Sequence, residues 1–277
     1  MSLPPDAVQH FRGHGYCTAP AFFTPRETAA LQAEVARFQR QGLLRNVATD
    51  GDGRTPSATQ ANLQLIPLHD KSDLLRALPF EQKVTQAVEA LIGSPFLLHL
   101  DQLFLKPGRH GIGTDWHQDS AYFQIPDPMQ GTAMWIAVHA ATVANGTLHL
   151  IPGSHTEVYP HTRDPNSDHH IHCHPPEHRP AVPLELPAGG VAFFCYGTAH
   201  CTRANTTDRE RAGIAFHFLR SECVGQARLA DASRPHPVLA GPQTTGGVRE
   251  YGTRVAGTWK DEVERVLGPL TAARERS

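Results

Sequence analysis

The sequence predicts a mainly β domain with flanking helices, and three observations carry that expectation. From Pro95 onward the segments FLLHLDQLFL, TAMWIAVHA, TLHLIPG, VAFFCYG and GIAFHFL are short, β-prone and bounded by Gly, Pro or Asn. Gly and Pro number 23 each, a turn content that suits short strands better than a helical bundle. Helix signals stand before and after this β stretch. Thr24-Pro25-Arg26-Glu27 reads as an N-cap, a proline at the first helical position and a capping-box glutamate, followed by Leu31, Val35 and Phe38 on one stripe, with an end near Gly42. A second helix is expected across Phe80 to Ile92, with Val84, Val88 and Leu91 on one face and Gly93 as its stop. A third, capped by Thr258, carries Trp259, Val263 and Val266. The 277 residues are read as one domain: a helical part over about 1–94, a β core over about 95–220, and a C-terminal lid and helix over about 221–277. Residues 46–60 and the polar stretch His161 to Pro180 are expected to be loops, the latter an exposed insertion between strands.

Charge and composition exclude several functions. Lys plus Arg is 25 and Asp plus Glu is 27, so a formal charge of -2 gives no drive toward nucleic acid or an anionic membrane. No segment has the apolar length of a membrane helix, and the amino terminus lacks a signal peptide's apolar run, so a cytoplasmic protein is expected. Cys17, Cys173, Cys195, Cys201 and Cys223 are odd in number and form no CxxC, which argues against a disulfide framework and a thiolate zinc site. The conspicuous excess is 18 histidines, the side chain most often used to bind metal near neutral pH.

Two residues separated by one on a strand point to the same side, so His-x-Asp can present an imidazole and a carboxylate to one ion. With 18 histidines and 14 aspartates, chance alone yields about one such pair, so context must choose. His99-Leu100-Asp101 lies in an apolar run and reads as a hydrogen-bonded pair on a strand, while His155-Thr156-Glu157 follows Pro152-Gly153-Ser154 and reads as a surface turn. His117-Gln118-Asp119 follows a glycine-rich approach and precedes Tyr122 and Phe123, which reads as a strand start next to a loop and open to small molecules. Farther on, His200 follows the apolar strand VAFFCYG. Arg211 opens the next, sharing a face with Gly213, Ala215 and His217 while Ile214, Phe216 and Phe218 take the other. A guanidinium at the end of a slot lined by small residues suits the far carboxylate of an elongated dianion; the alternative is a surface salt bridge.

These residues carry a resemblance. WHQD with His117 and Asp119, Trp135 in TAMWIAV, NGTLHLIPGSH, and HCTRANTTDRER with His200, Thr202 and Arg211 resemble the phytanoyl-CoA dioxygenase family of iron(II)- and 2-oxoglutarate-dependent oxygenases, from about Phe80 to Leu219. The resemblance implies a double-stranded β-helix, a cupin-like jelly roll. It implies His117, Asp119 and His200 as the ligands of Fe(II) and so as the catalytic residues, with Arg211, Thr202, Trp135 and Gln102 contacting 2-oxoglutarate and Gln118 close to the same site. Two histidines and one carboxylate leave three adjacent iron positions open, which suits the keto acid and O2. Asp119 argues against halogenation, which needs a small residue there.

The expected activity is hydroxylation, or another oxidation, of an unactivated C–H bond in a small, polar, possibly anionic metabolite, with 2-oxoglutarate converted to succinate by a monomer or homodimer. Two alternatives are an oxygenase acting on an acyl chain carried by coenzyme A or a carrier protein, for which Arg45, Arg54, Lys71 and Arg109 would supply phosphate contacts, and an inactive β-barrel binding protein. Substrate contacts are expected from residues 46–60, His161 to Pro180 and Asp231 to Thr253. The histidines at 169, 170, 172 and 174 read mainly as a solvated loop, His110 and His217 as groups within reach of the site, Cys201 as a buried inert thiol, Gln102 alternatively as a satisfied buried amide, and Lys106 as solvent-facing.

Overall fold

A computed structural model describes residues 3–225 and 235–274 of the chain. Fourteen strands are present among the described residues: β1 (Tyr16–Ala19), β2 (Arg45–Asn46), β3 (Leu63–Leu65), β4 (Phe96–Lys106), β5 (Thr114–His117), β6 (Gly131–Ala137), β7 (Leu148–Leu150), β8 (His161–Arg163), β9 (Ile171–Cys173), β10 (Val182–Pro183), β11 (Val191–Cys195), β12 (His200–Thr202), β13 (Arg211–Arg220) and β14 (Val238–Ala240). Helices are α1 (Pro5–His14), α2 (Pro25–Arg40), α3 (Asp73–Ala77), α4 (Gln82–Ile92), α5 (Asp119–Phe123), α6 (Val248–Tyr251) and α7 (Trp259–Arg274).

The strands form two facing sheets. The larger runs β1-β11-β6-β13-β4-β3-β2, with β14 added to β4, and the smaller runs β10-β7-β12-β5. Within them, β4-β13-β6-β11 and β5-β12-β7-β10 pair antiparallel and alternate between sheets along the chain, which is the jelly-roll double-stranded β-helix. No helix among the described residues is long and apolar enough to cross a membrane.

Strand alternation gives β6 two apolar faces and β13 one, with Arg211 and His217 on its other face. Met134, Ile136, Ile214, Phe216 and Phe218 pack under the helices, in one cluster with Leu31, Val35 and Phe38 of α2 and with Trp259 of α7. Ala133, Trp135, Ala137 and Ala215 face the smaller sheet and join Leu148, Leu150 and Phe194. The large sheet is therefore a middle layer, helices on one side and the jelly-roll interior on the other.

The predicted capping box is present: Glu27 N–H donates to Thr24 Oγ1 (3.2 Å) and Thr24 N–H to Glu27 Oε2 (2.8 Å). Glu27 does more than cap. Its carboxylate also accepts from Lys83 Nζ on α4 (2.7 Å) and from Trp259 Nε1 on α7 (2.6 Å), tying three helices together. Burial pushes its pKa up, but hydrogen bonds from Lys83, Trp259 and Thr24 outweigh that and hold it below the ordinary glutamate value.

The structure corrects two expectations about loops. His161 to Pro180 is not merely an exposed insertion: it folds into the β8–β9 hairpin and buries Asp164, Ser167, His170 and Cys173. The C-terminal segment is not a lid over its described residues. Val255, Trp259 and Val263 sit in the helical layer and β14 extends the large sheet, because their apolar side chains complete that layer. Asp231 to Thr253 falls partly outside the described residues.

Candidate metal centre

His117 ends β5 and His200 begins β12, and these antiparallel neighbours place the two residues directly opposite each other. Opposed residues project to the same side, and the rings lie 4.1 Å apart between centroids. Two residues beyond His117 the chain turns into α5, whose first residue is Asp119. Asp119 Oδ1 lies 3.9 Å from His117 Nε2 and 4.0 Å from His200 Nε2. Ligand atoms of all three residues fall within 4.8 Å of one another, and all three residues are buried. A second grouping, Asp115, Asp164 and His172, also meets that distance criterion, but there Asp164 is engaged in accepting the N–H of Asn166 (2.8 Å).

Backbone carbonyls orient both imidazoles. His117 Nδ1 donates to the Asp115 carbonyl (2.7 Å) and His200 Nδ1 to the Thr198 carbonyl (2.9 Å). A carbonyl only accepts, so each ring proton sits on Nδ1 and each Nε2 keeps its lone pair for a cation. Burial lowers the His117 pKa to about 4 and holds His200 well below the usual value, so both rings are neutral ligands at physiological pH. Without a cation, burial pushes Asp119 up to about 7, and its Oδ2 has no hydrogen-bond partner. A buried carboxylate between two neutral imidazoles is a donor set that a divalent ion completes.

Around the triad runs a cavity whose wall includes Gln64, Gln102, Trp135, Thr202, Ala215 and His217. Gln64 Nε2 donates to Gln102 Oε1 (3.0 Å), leaving the Gln102 amide nitrogen to donate to His217 Nε2 (3.3 Å). The His217 proton is thereby placed on Nδ1, 3.6 Å from Asp119 Oδ2. His217 thus reaches the site, whereas His110 is exposed away from it.

Beyond Trp135 the interior holds two cations. Arg211 and Lys106 are opposite one another on β13 and β4, each 1 % exposed. Arg211 Nη2 donates to the Gly146 carbonyl and Lys106 Nζ to the Arg203 carbonyl, yet neither cation is in an ion pair among the described residues and Arg211 Nε has no partner. Burial lowers Arg211 to about 10, and burial followed by the neighbouring Arg211 holds Lys106 well below its usual value. The indole of Trp135 lies under the guanidinium, 5.5 Å from ring centroid to Cζ. It fits there because Gly213 is bare: a Cβ would meet the indole at 2.8 Å. Gly146 has φ 75 and passes so close to Arg203 that a Cβ would sit 2.1 Å from its carbonyl oxygen, which fixes the glycine of the NGT segment. Two buried cations without an anion make a receptor for a carboxylate.

His117, Asp119, His200, Thr202, Trp135 and Gln102 all line one cavity, with Arg211 stacked behind Trp135. Gln118 does not join them. The alternation that aligns His117 with Asp119 sends the residue between them the other way: its Nε2 donates to the carbonyls of Glu157 and Gly197 (2.7 Å each) and its Oε1 accepts from Tyr159 N–H (2.9 Å). It clamps the loop behind the site and is not among the residues lining the cavity. Lys106 is buried rather than solvent-facing, because its register with Arg211 draws it inward. Arg211 is no surface salt bridge. Cys201 is buried, with burial pushing its thiol up to about 12, as an inert thiol requires. Sequence reasoning missed Gln64 and took His170 for a loop residue; both line the cavity. No Lys or Arg lines it among the described residues.

The pattern of the phytanoyl-CoA dioxygenase family matches residues 11–213. The chain belongs to that family. As a member it is an iron- and 2-oxoglutarate-dependent dioxygenase, as the motifs imply. It is 25 % identical over 231 residues to the ectoine dioxygenase of Bordetella parapertussis, covering 77 % of this chain and 74 % of that protein. Two solved structures share the fold. One is the epimerase SnoN from nogalamycin biosynthesis in complex with Fe3+, α-ketoglutarate and nogalamycin RO (TM-score 0.65, 23 % identity, 78 % of this chain and 83 % of that one). The other is EctD from S. alaskensis with 2-oxoglutarate and 5-hydroxyectoine (TM-score 0.65, 20 % identity, 92 % of this chain and 86 % of that one).

Proposed function

We propose that His117, Asp119 and His200 hold ferrous iron, that Arg211 and Lys106 receive the distal carboxylate of 2-oxoglutarate with Thr202, Trp135 and Gln102 along its length, and that the enzyme hydroxylates or otherwise oxidises an unactivated C–H bond of a small polar metabolite. The observation that carries the reading is one continuous path: three convergent ligand atoms, a cavity beside them, and an anion-deficient cation pair behind its Trp135 wall.

Bound iron with 2-oxoglutarate supplies oxygen activation coupled to decarboxylation of the keto acid to succinate. The chain's own residues do the rest. Asp115 and Thr198 carbonyls keep both imidazole lone pairs aimed inward, and His217 Nδ1 faces Asp119 Oδ2. Trp135 and Phe194 shield the interior from water, so the Arg211–carboxylate pair forms in a low-dielectric slot where it is strong. The retained carboxylate of Asp119 disfavours halogenation, and the intact residue set disfavours an inactive binding protein.

An acyl-CoA substrate is less well supported. Of the four basic residues that would bind its phosphates, Arg45 pairs with Asp168, Lys71 with Asp70 and Arg109 with Asp208, so their charges are already answered. Five free cysteines, four of them buried, fit residence in the reducing cytoplasm. The test is a screen of small metabolites for oxygen-dependent succinate release by the iron-loaded enzyme. Release stimulated by a small polar metabolite and lost in His200→Ala supports the reading. Release unaffected by His200→Ala, or stimulated only by acyl thioesters, overturns it.

A further inference from the structure

Three side chains form a line of hydrogen bonds that ends at the metal ligand set. Gln64 on β3 donates through Nε2 to Gln102 Oε1 on β4 (3.0 Å), and Gln102 Nε2 donates to His217 Nε2 on β13 (3.3 Å). Beyond the imidazole stands Asp119, whose Oδ2 lies 3.6 Å from His217 Nδ1. Neither of these facing atoms has a hydrogen-bond partner among the described residues, and both residues are buried. Phe123 and Tyr196 pack against the imidazole, 5.5 and 5.9 Å away between ring centroids. Directly after His217 the register between β13 and β4 shifts, an irregularity of the kind that recurs beside functional sites.

Both ends of the line place the same proton. An ionised carboxylate only accepts, so a ring nitrogen facing Asp119 Oδ2 must carry hydrogen. At the other end the Gln102 amide donates to Nε2, which leaves Nδ1 as the protonated atom of a neutral imidazole. Exchanging the oxygen and nitrogen of Gln102 would set its N–H groups against those of Gln64 and turn a bare Nδ1 toward the carboxylate. The 3.6 Å separation is about 0.4 Å beyond the upper end of the N–H···O range, and closing it satisfies two buried groups at once. The other carboxylate oxygen has different neighbours: Oδ1 lies 3.9 Å from His117 Nε2 and 4.0 Å from His200 Nε2.

We propose that His217 is a positioning residue of this metal centre: its Nδ1–H holds Oδ2 of Asp119 so that Oδ1 alone is presented to the ion, and Gln64 and Gln102 fix the tautomer that allows it. Gln102 keeps its second amide hydrogen for the keto acid. The inference rests on the reading of the triad as an iron site and adds to it a residue, outside the ligand set, that aims its carboxylate.

The test is the Co(II) affinity of the full chain, measured by competition with a chelator, in three variants that separate the two ring nitrogens. His217→Asn puts an N–H where Nδ1 stood, His217→Gln puts one where Nε2 stood, and His217→Phe keeps the ring area with neither. Loss of the outer partner of a metal ligand costs about ten- to a hundredfold in metal affinity. His217→Phe and His217→Gln should bind Co(II) more weakly than the wild type by that factor, and His217→Asn should recover most of the loss. Wild-type affinity in His217→Phe, or equal affinities in His217→Asn and His217→Gln, overturns the proposal, because a role in packing alone does not distinguish the two amides. A second measurement needs no variant: imidazole 15N shifts of the metal-free protein, recorded above the value of about 7 to which burial pushes Asp119, should place the His217 proton on Nδ1. A proton on Nε2 contradicts the assignment. Failure of the iron reading is separately visible as a wild type that takes up no Co(II), with the 15N shifts still deciding the state of His217.

Discussion

Glu27 in the helical layer and Asp119 in the jelly roll are both carboxylates held inside the fold, and their surroundings are opposite. Glu27 is answered from within the chain by Lys83, Trp259 and Thr24, and its carboxyl sits below the ordinary value. Among the described residues Asp119 faces no cation and its Oδ2 has no hydrogen-bond partner, and burial pushes it up to about 7. Arg211 repeats the pattern in the other sign, a buried cation with no acid beside it. A polar group satisfied by the chain serves stability. One buried at a cost and left unsatisfied marks where a ligand completes the structure.

The largest effect should come from the triad. Asp119→Ala or His117→Ala should abolish iron retention, measured by elemental analysis after anaerobic loading, and turnover with it. Arg211→Ala should leave iron in place and raise the 2-oxoglutarate concentration required by about ten- to a hundredfold, since a hydrogen bond to a charged group is lost. If cosubstrate dependence is untouched, that role is wrong. The comparison sharpens when stability is read instead. Arg211→Met, which removes an unanswered buried charge, should stabilise the ligand-free protein by about 1–3 kcal/mol in denaturant titration. Glu27→Gln should destabilise it by about 1–2 kcal/mol while leaving 2-oxoglutarate affinity unchanged. Equal signs for the two would erase the distinction.

The smallest effect is a pH dependence. The Glu27 pKa is depressed in the fold, so its contribution is complete above the unfolded glutamate value and is lost as pH falls through that value toward the folded one. Wild-type stability should therefore drop more steeply than that of Glu27→Gln when pH is lowered from about 5 to about 3.

The sequence disclosed whatever depends on spacing along one element. The capping box at Thr24, the faces of β13 and the His117–Asp119 pair follow from periods of 3.6 and 2, and the structure keeps them. Gln118 was misread because proximity in sequence was taken for proximity in space, although the same alternation that pairs its neighbours turns it away. Lys106 becomes legible only once β4 and β13 are set in register, a long-range fact. His170 was hidden by composition: a run of polar residues reads as solvated loop, and its burial depends on Tyr122 and Phe104, 48 and 66 positions away. The helix α1 went unread; of its ten residues, Pro5–His14, only Phe11 is buried.

Anaerobic titration of the metal-free protein with Fe(II) and 2-oxoglutarate tests the central claim most directly. The account predicts one iron per chain and a weak visible charge-transfer band that needs both additions, vanishes in Asp119→Ala, and requires more keto acid in Arg211→Ala. Iron binding without the band, or a band indifferent to Asp119 and Arg211, would contradict it.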